Sequence, residues 1–319
     1  LTQQADTTSW PSAGHLVAWD QHRLYGLEGG VAPRVPTASP SMSVVPGPSG
    51  WDAVALDGRT LLGPLGATVW RAMTDNDGTV GGPAWQLGRA ADWHAWGLDC
   101  LEPQWDPPVL EEHDGVLRIE ARGRLVSPTG AGQVEWSRVV TARRGEPLRV
   151  DESVIVPDAL DDVPRVGAVV EVADGLDEVE WWGRGPHECY PDRQASAVVG
   201  RHRRVLDEMV EPLVHPQEHG TRTDARELVL SGPAGRVVVA ADPDGPLLAF
   251  RVGRDRDADL QAAALASDLP SRRGAELLVD VATRGVGTGA CGPDTRPRYR
   301  VGPGAYRWTW WVGLSSDLA

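Results

Sequence analysis

The stretch from Glu180 to Arg201, EWWGRGPHECYPDRQASAVVGR, sets carboxylates, guanidinium groups, a phenol and two indoles among glycines and prolines. No helical or strand period accounts for it. Gly and Pro at that density set special backbone angles. Glu188, Tyr190, Asp192 and Arg193 therefore read as a hydrogen-bonded corner, with Trp181 and Trp182 beside it. Two chemistries fit these residue types. Carboxylates, Arg and Trp faces suit the hydroxyls and C–H surfaces of a sugar, which would engage Trp182, His187, Glu188, Tyr190 and Arg193. The other is a structural network that fixes a turn. Glu218, Arg222, Arg226 and Glu227 admit the same two readings, as groove lining or as buried ion pairs.

A second candidate is Asp75–Gly82, DNDGTVGG. Polar residues followed by glycines suit a mobile loop. They equally suit a plain turn in which Asp75 and Asn76 bond the backbone. Asp75 and Asp77 suggest calcium, but the run lacks the Glu and the spacing of an EF-hand loop. The histidines show no H-x-H or H-E-x-x-H spacing, so zinc has no support.

These segments resemble a known family. The corner matches the W-x-G-x-G-P-x-E-x-Y-x-D-R pattern in the C-terminal domain of family 2 β-galactosidases. Trp70–Asp77, WRAMTDND, is similar to that domain's W-R-A-x-x-D-N-D run. His215–Leu228, HPQEHGTRTDAREL, and Gly287–Tyr299, GTGACGPDTRPRY, resemble two further segments in the same order. Thr8–Leu24 looks like the last strand of the immunoglobulin-like domain that precedes this one in the full enzyme.

The resemblance implies an all-β fold, a large antiparallel two-sheet supersandwich of the galactose-mutarotase-like type. It implies a parent that hydrolyses terminal β-D-galactosides such as lactose, with retention. It implies that Cys291 stands at a turn contacting the leaving-group sugar, and that Asp75, Asn76 and Asp77 open a loop near the substrate entrance. The alternative for Cys291 is a buried residue without a role. Retention needs two carboxyl groups about 5 Å apart, which the family carries on a barrel of about 250 residues. This chain has no room for that barrel, so it is expected to be inactive alone. The parent's magnesium and sodium would be bound mostly by other domains, and no cofactor is expected here. The partners implied are those other domains, the galactoside and, in the parent, further subunits. A mutarotase-like epimerase and a free carbohydrate-binding module are the alternatives. The epimerase needs a His and a Glu converging on a concave face.

Composition agrees with a β-rich chain. The 319 residues hold 37 Gly and 26 Pro, favouring many turns over long helices. The net charge is −14 and all 31 basic residues are Arg. An acidic chain without a basic stripe argues against nucleic acid and anionic membranes. Three distant cysteines (Cys100, Cys189 and Cys291) make no disulfide framework, which fits a reducing cytoplasm. There is no membrane-length apolar run and no signal-peptide pattern. The start at Leu1 reads as a piece of something longer. The partial strand at Thr8–Leu24 argues against a naturally separate subunit, because it would expose an edge.

The expected organisation is a last immunoglobulin-like strand over 1–24, a Pro/Gly/Ser-rich linker over 25–50, and the supersandwich over 51–319. Leu117, Ile119 and Ala121, then Leu277, Val279 and Val281, then Tyr306, Trp308, Trp310 and Val312 alternate as half-buried strands do. Residues 43–62 look short for a full first hairpin. Short helices are expected within His202–Val214 and Asp259–Leu269. Most of the 14 Trp read as core, with Trp85, Trp93, Trp96 and Trp105 left to meet a ligand or neighbouring domain.

Overall fold

The computed structural model describes residues 2–3, 15–16, 21, 33–78, 88–288 and 294–316. Two compact units divide the chain, residues 1–32 and 33–319. In the first, β1 (Thr2–Gln3) pairs antiparallel with β2 (His15–Leu16). Most of the strand expected at His15–Leu24 lies outside the described residues.

The second unit opens with a meander of β3 (Met42–Gly47), β4 (Gly50–Leu56) and β5 (Arg59–Thr68). The helix α1 (Ala90–Ala95) follows, then β6 (Glu102–Trp105), β7 (Val109–His113) and β8 (Val116–Val126). Next come β9 (Gln133–Arg143), β10 (Leu148–Val156), β11 (Arg165–Val172), β12 (Glu178–Pro186) and β13 (Ala197–Val205). The chain continues through β14 (Arg222–Ala225), β15 (Glu227–Gly232), β16 (Gly235–Ala241) and β17 (Leu248–Gly253). It ends with α2 (Asp257–Ala262), β18 (Ala275–Thr283) and β19 (Gly304–Ser315).

Among the described residues these strands form two antiparallel sheets. The larger has ten strands in the order β13-β12-β15-β16-β19-β10-β9-β8-β6, with β7 also on β8. The smaller has seven, β14-β17-β18-β11-β5-β4-β3. This is the two-sheet sandwich the strand periods call for. No helix among the described residues is long and apolar enough to cross a membrane.

The period of two sets the core. Trp308, Trp310, Val312 and Leu314 of β19 are buried, and Trp310 meets Trp51 of β4 at 5.9 Å between ring centres. Each such side chain contributes about 1.5–3 kcal/mol when fully buried. One polar bolt crosses that core. Arg138 on β9 donates from Nε to Glu152 on β10 at 2.7 Å, from Nη1 to the Ser49 carbonyl at 2.5 Å and from Nη2 to the Gly66 carbonyl at 3.0 Å. The Trp136 and Trp310 indoles donate to the same carboxylate.

Several elements differ from expectation. Met42–Gly47 lies in the stretch read as linker, yet it is the edge strand of the small sheet. Pro46 is tolerated there because an edge strand has a free side. Residues 43–62 hold nearly all of β3, all of β4 and the start of β5, so the first hairpin is present. Residues 33–39 pack against β19 of the large sheet, with Pro36 buried and the Ser39 amide donating to the Leu314 carbonyl at 2.7 Å. Any side chain at Gly313 would collide with the Thr37 carbonyl. Residues 202–205 are strand, because β13 pairs with β12 throughout and the His202 ring stacks 5.1 Å from Trp181. Only one 3-10 turn, Leu206–Glu208, follows. α2 starts at Asp257 and ends at Ala262, before a separate 3-10 turn at Ala266–Asp268. On β18, Leu278 and Asp280 are buried as well as Leu277 and Val279, because loops cover the far side of the small sheet.

Candidate functional site

The far side of the small sheet carries charge where the core side carries hydrocarbon. On β17, Phe250 and Val252 face the core and Arg251 lies between them in sequence, so it points away. Asp280 does the same beside Leu277 and Val279 on β18. Arg165 starts β11 on the same side. Four segments close over these groups: residues 71–78, 187–194 and 214–221, and α2.

The motif residues meet beneath that cover. Tyr190 donates its hydroxyl to Glu218 Oε1 at 3.2 Å, and Thr221 donates to the same oxygen at 2.8 Å. Arg165 donates to it at 3.1 Å. Burial, with Glu218 and Glu188 nearby, pushes the Tyr190 hydroxyl well above its ordinary pKa, so it stays a donor. Glu188 accepts from the Gly220 amide at 2.7 Å and from Arg193. Burial raises its pKa against those partners. Arg222 donates to the carbonyls of Met209, Gly220 and Pro186.

Asp77 is the centre of a second knot. It is 1 % exposed and accepts from both Arg71 nitrogens at 2.7 and 2.9 Å, and from the Thr74 amide and hydroxyl. Burial opposes its charge, but Arg71, Thr74 and Arg284 outweigh that and hold its pKa below the usual range. Arg284 joins this knot to distant chain, donating to Asp162, Asp77, Thr295 and Asp294. The Trp93 ring lies under both guanidinium groups, 5.4 Å from Arg71 and 5.3 Å from Arg284.

The turn at 285–288 is clamped from two sides. Asp192 accepts the amides of Val286, Gly287 and Thr288 and the Thr288 hydroxyl, all between 2.9 and 3.0 Å. Asn76 donates its side-chain amide to the Val286 carbonyl at 2.5 Å. Beyond the turn, the Arg296 amide donates back to Thr288 Oγ1 at 3.3 Å.

The structure thus brings together Asn76, Asp77, Glu188, Tyr190, Arg193, Glu218 and Arg222, all with protein partners; Asp77, Glu188, Tyr190, Glu218 and Arg222 are buried, Asn76 is half-buried and Arg193 is exposed. Asp75 is exposed, and only its amide is tied, to Gln217. Trp182 lies on the other face of β12 from Trp181, stacked by Arg201 and Arg226 at 5.1 and 5.2 Å. His187 is exposed. Cys291, Thr79–Gly82 and Trp85 lie outside the described residues. Trp93 is fully buried, while Trp96 and Trp105 are half-buried against the core, so Trp93 meets no ligand. Among the described residues no three His, Cys, Asp or Glu stand where they would hold a metal. His219 adjoins Glu218, but both are buried, and burial with Arg251 nearby pushes the His219 pKa down to about 3. That couple is closed to a sugar, so it does not supply the exposed His and Glu pair an epimerase needs.

Sequence reasoning missed Arg165, Arg251, Asp257, Asp280 and Arg284. Only one signal pointed to them: a polar residue at an alternating position of an otherwise apolar strand, as with Arg251 and Asp280.

The β-galactosidase small chain family model matches residues 49–311. A β-galactosidase of Arthrobacter sp. strain B7 is 32% identical over 324 residues, covering 94% of this chain and 31% of that protein. One of Aeromonas hydrophila is 28% identical, covering 96% and 31%. The chain spans about a third of the length of those relatives. Among solved structures, a putative aldose 1-epimerase from Escherichia coli K12 aligns with a TM-score of 0.43 at 12% identity, covering 89% of this chain and 99% of that one. A galactose mutarotase related enzyme from Lactobacillus acidophilus aligns at 0.42 and 10%, with the same coverage.

Proposed function

Because the chain belongs to the β-galactosidase small chain family, we propose that it is the C-terminal, non-catalytic sandwich of an enzyme that hydrolyses terminal β-D-galactosides with retention. The observation that carries this reading is a family match over residues 49–311 in a chain spanning 31% of its Arthrobacter relative. In this reading the catalytic carboxylates lie on other domains, and the sandwich supports them. It also shapes the acceptor side of the site through Cys291 and the residues around Asp75, Asn76 and Asp77. The Asn76–Val286 bond and the four-fold grip of Asp192 support that role, since they fasten the turn that leads toward Cys291. Asp77 is not read as an ion ligand, because its oxygens are already taken by Arg71, Arg284 and Thr74. The parent's magnesium and sodium would bind elsewhere.

The test is hydrolysis of a chromogenic β-galactoside by the chain alone and after mixing with the separately expressed upstream part. Activity only on mixing supports the reading. Turnover by the chain alone would overturn it.

A further inference from the structure

Asp280 is 0 % exposed, yet neither of its carboxylate oxygens has a hydrogen-bond partner among the described residues. Its side chain lies over Gly167, its neighbour on β11, where any side chain would collide with it. The nearest cation is Arg165 Nε at 3.6 Å, and that nitrogen is also without a hydrogen bond. Arg165 spends its other two nitrogens on Glu218 at 3.1 Å and Asp257 at 3.3 Å. Arg251 from β17 bonds Asp257 and stands 3.6 Å from Glu218 Oε2.

Charge counting then leaves a surplus. Arg165 and Arg251 face Glu218, Asp257 and Asp280, and the adjoining Arg71–Asp77 pair compensates itself. Two cations and three carboxylates leave one buried negative charge, which is far costlier than a neutral acid. We propose that Asp280 is a built-in proton site, so that closure of α2 and residues 214–221 over the small sheet is linked to uptake of one proton. Opening that cover would admit water and let Asp280 ionise. Burial raises the Asp280 pKa to about 7, and Glu218 and Asp257 add to the rise against Arg165 and Arg251. This inference is independent of the proposed function.

Other groups titrate nearby. Glu276, further along β18, is half-buried and raised to about 7, first by burial and then by Asp257. His219 and Glu188 border residues 214–221, and Tyr190 bonds Glu218. His219 acts in the opposite sense, because a neutral buried imidazole favours opening as pH falls. The readout must therefore isolate Asp280 by comparing variants at each pH.

Hydrogen exchange in residues 214–221 and α2 would be followed for the 319-residue wild type and Asp280→Asn, each with and without Glu276→Gln. The expected result is a protection ratio, Asp280→Asn over wild type, that grows roughly tenfold per pH unit from about pH 5 toward 7 and then levels. Glu276 is the other carboxyl raised to about 7, so the same growth of the ratio should hold when both proteins also carry Glu276→Gln. The infrared spectrum gives a second readout that does not require the Asn variant to fold. Glu276→Gln should keep a protonated-carboxyl band at pH 6 that is lost with a midpoint near 7. A pH-independent protection ratio, or no such band at pH 6, would overturn the proposal.

Discussion

Arg284 at the end of β18 reaches Asp77, 207 positions earlier in the chain, at 3.4 Å, while the same guanidinium holds Asp162 and Asp294. One side chain therefore ties the start of the Asp75–Gly82 stretch to the segment that leads out of the 285–288 turn. All of its nitrogens are engaged, and it is 0 % exposed. Such a hub is strong only while complete, because removing one partner strands the others in low dielectric.

Asp77→Ala removes the shared acceptor of Arg71, Arg284 and Thr74. Two guanidinium groups would lose a buried partner, which should destabilise the fold by about 3–5 kcal/mol. Urea unfolding of the variant and wild type measures this. A loss under about 1 kcal/mol would mean that water reaches the knot.

Acid should act on the same residue. The folded pKa of Asp77 is depressed, so its contribution is present above its unfolded value near 3.8 and is lost as pH falls through the folded one. Asp77→Asn should therefore lie furthest below wild type near neutral pH and approach it in strong acid. Thermal melts at a series of pH values check the convergence.

His219 gives a slope of the same sign at milder pH. Its folded pKa is about 3 against a usual 6.5, so the imidazole is neutral in the fold. Its penalty begins as pH falls below about 6.5, at about 1.4 kcal/mol per unit, until the folded group also titrates. His219→Gln should flatten the decline between pH 6.5 and about 4. An unchanged decline would place the sensitivity elsewhere.

The sandwich was legible because its signals are local. Alternation of Trp308, Trp310 and Val312 dictates a strand wherever the core lies, and the turn residues space such strands along the chain. The corner around Glu188 was legible as a corner for the same reason. What it touches was not. Glu218 meets Arg165 across 53 positions, and Arg284 meets Asp162 across 122. No local period encodes pairs created by sheet order. The helix expected at His202–Val214 failed because pairing with β12 outweighs the weak propensity of residues 202–205. The strap over Gly313 was read as linker because Pro and Ser signal the absence of regular structure, which an extended segment packed on a sheet also satisfies.

The strap can be tested where it touches the sheet. A valine at Gly313 would strike the Thr37 carbonyl and the Pro36 ring, whereas the β19 register itself tolerates a β-branched residue. Gly313→Val should lift residues 33–39 and expose them to proteolysis while leaving the sandwich folded. Limited digestion should cut near Arg34 far faster than in wild type, with little change in far-ultraviolet circular dichroism. Equal cutting rates would show that the strap does not depend on that contact.

The Arg138–Glu152 bolt predicts a different pattern of non-additivity. Arg138→Met leaves Glu152 with its two indole donors but strips the Ser49 and Gly66 carbonyls of theirs. Glu152→Gln keeps the shape and removes the charge, leaving a buried guanidinium without its counterion. Each single change should cost about 3–5 kcal/mol. In many proteins a double apolar replacement recovers most of that loss. Here it should recover only part, because Trp136, Trp310 and two backbone carbonyls would remain unpaired at about 1–3 kcal/mol each. A double-mutant cycle by denaturant unfolding decides the matter, and full recovery in Arg138→Met with Glu152→Leu would show that the bolt serves neither the indoles nor the backbone.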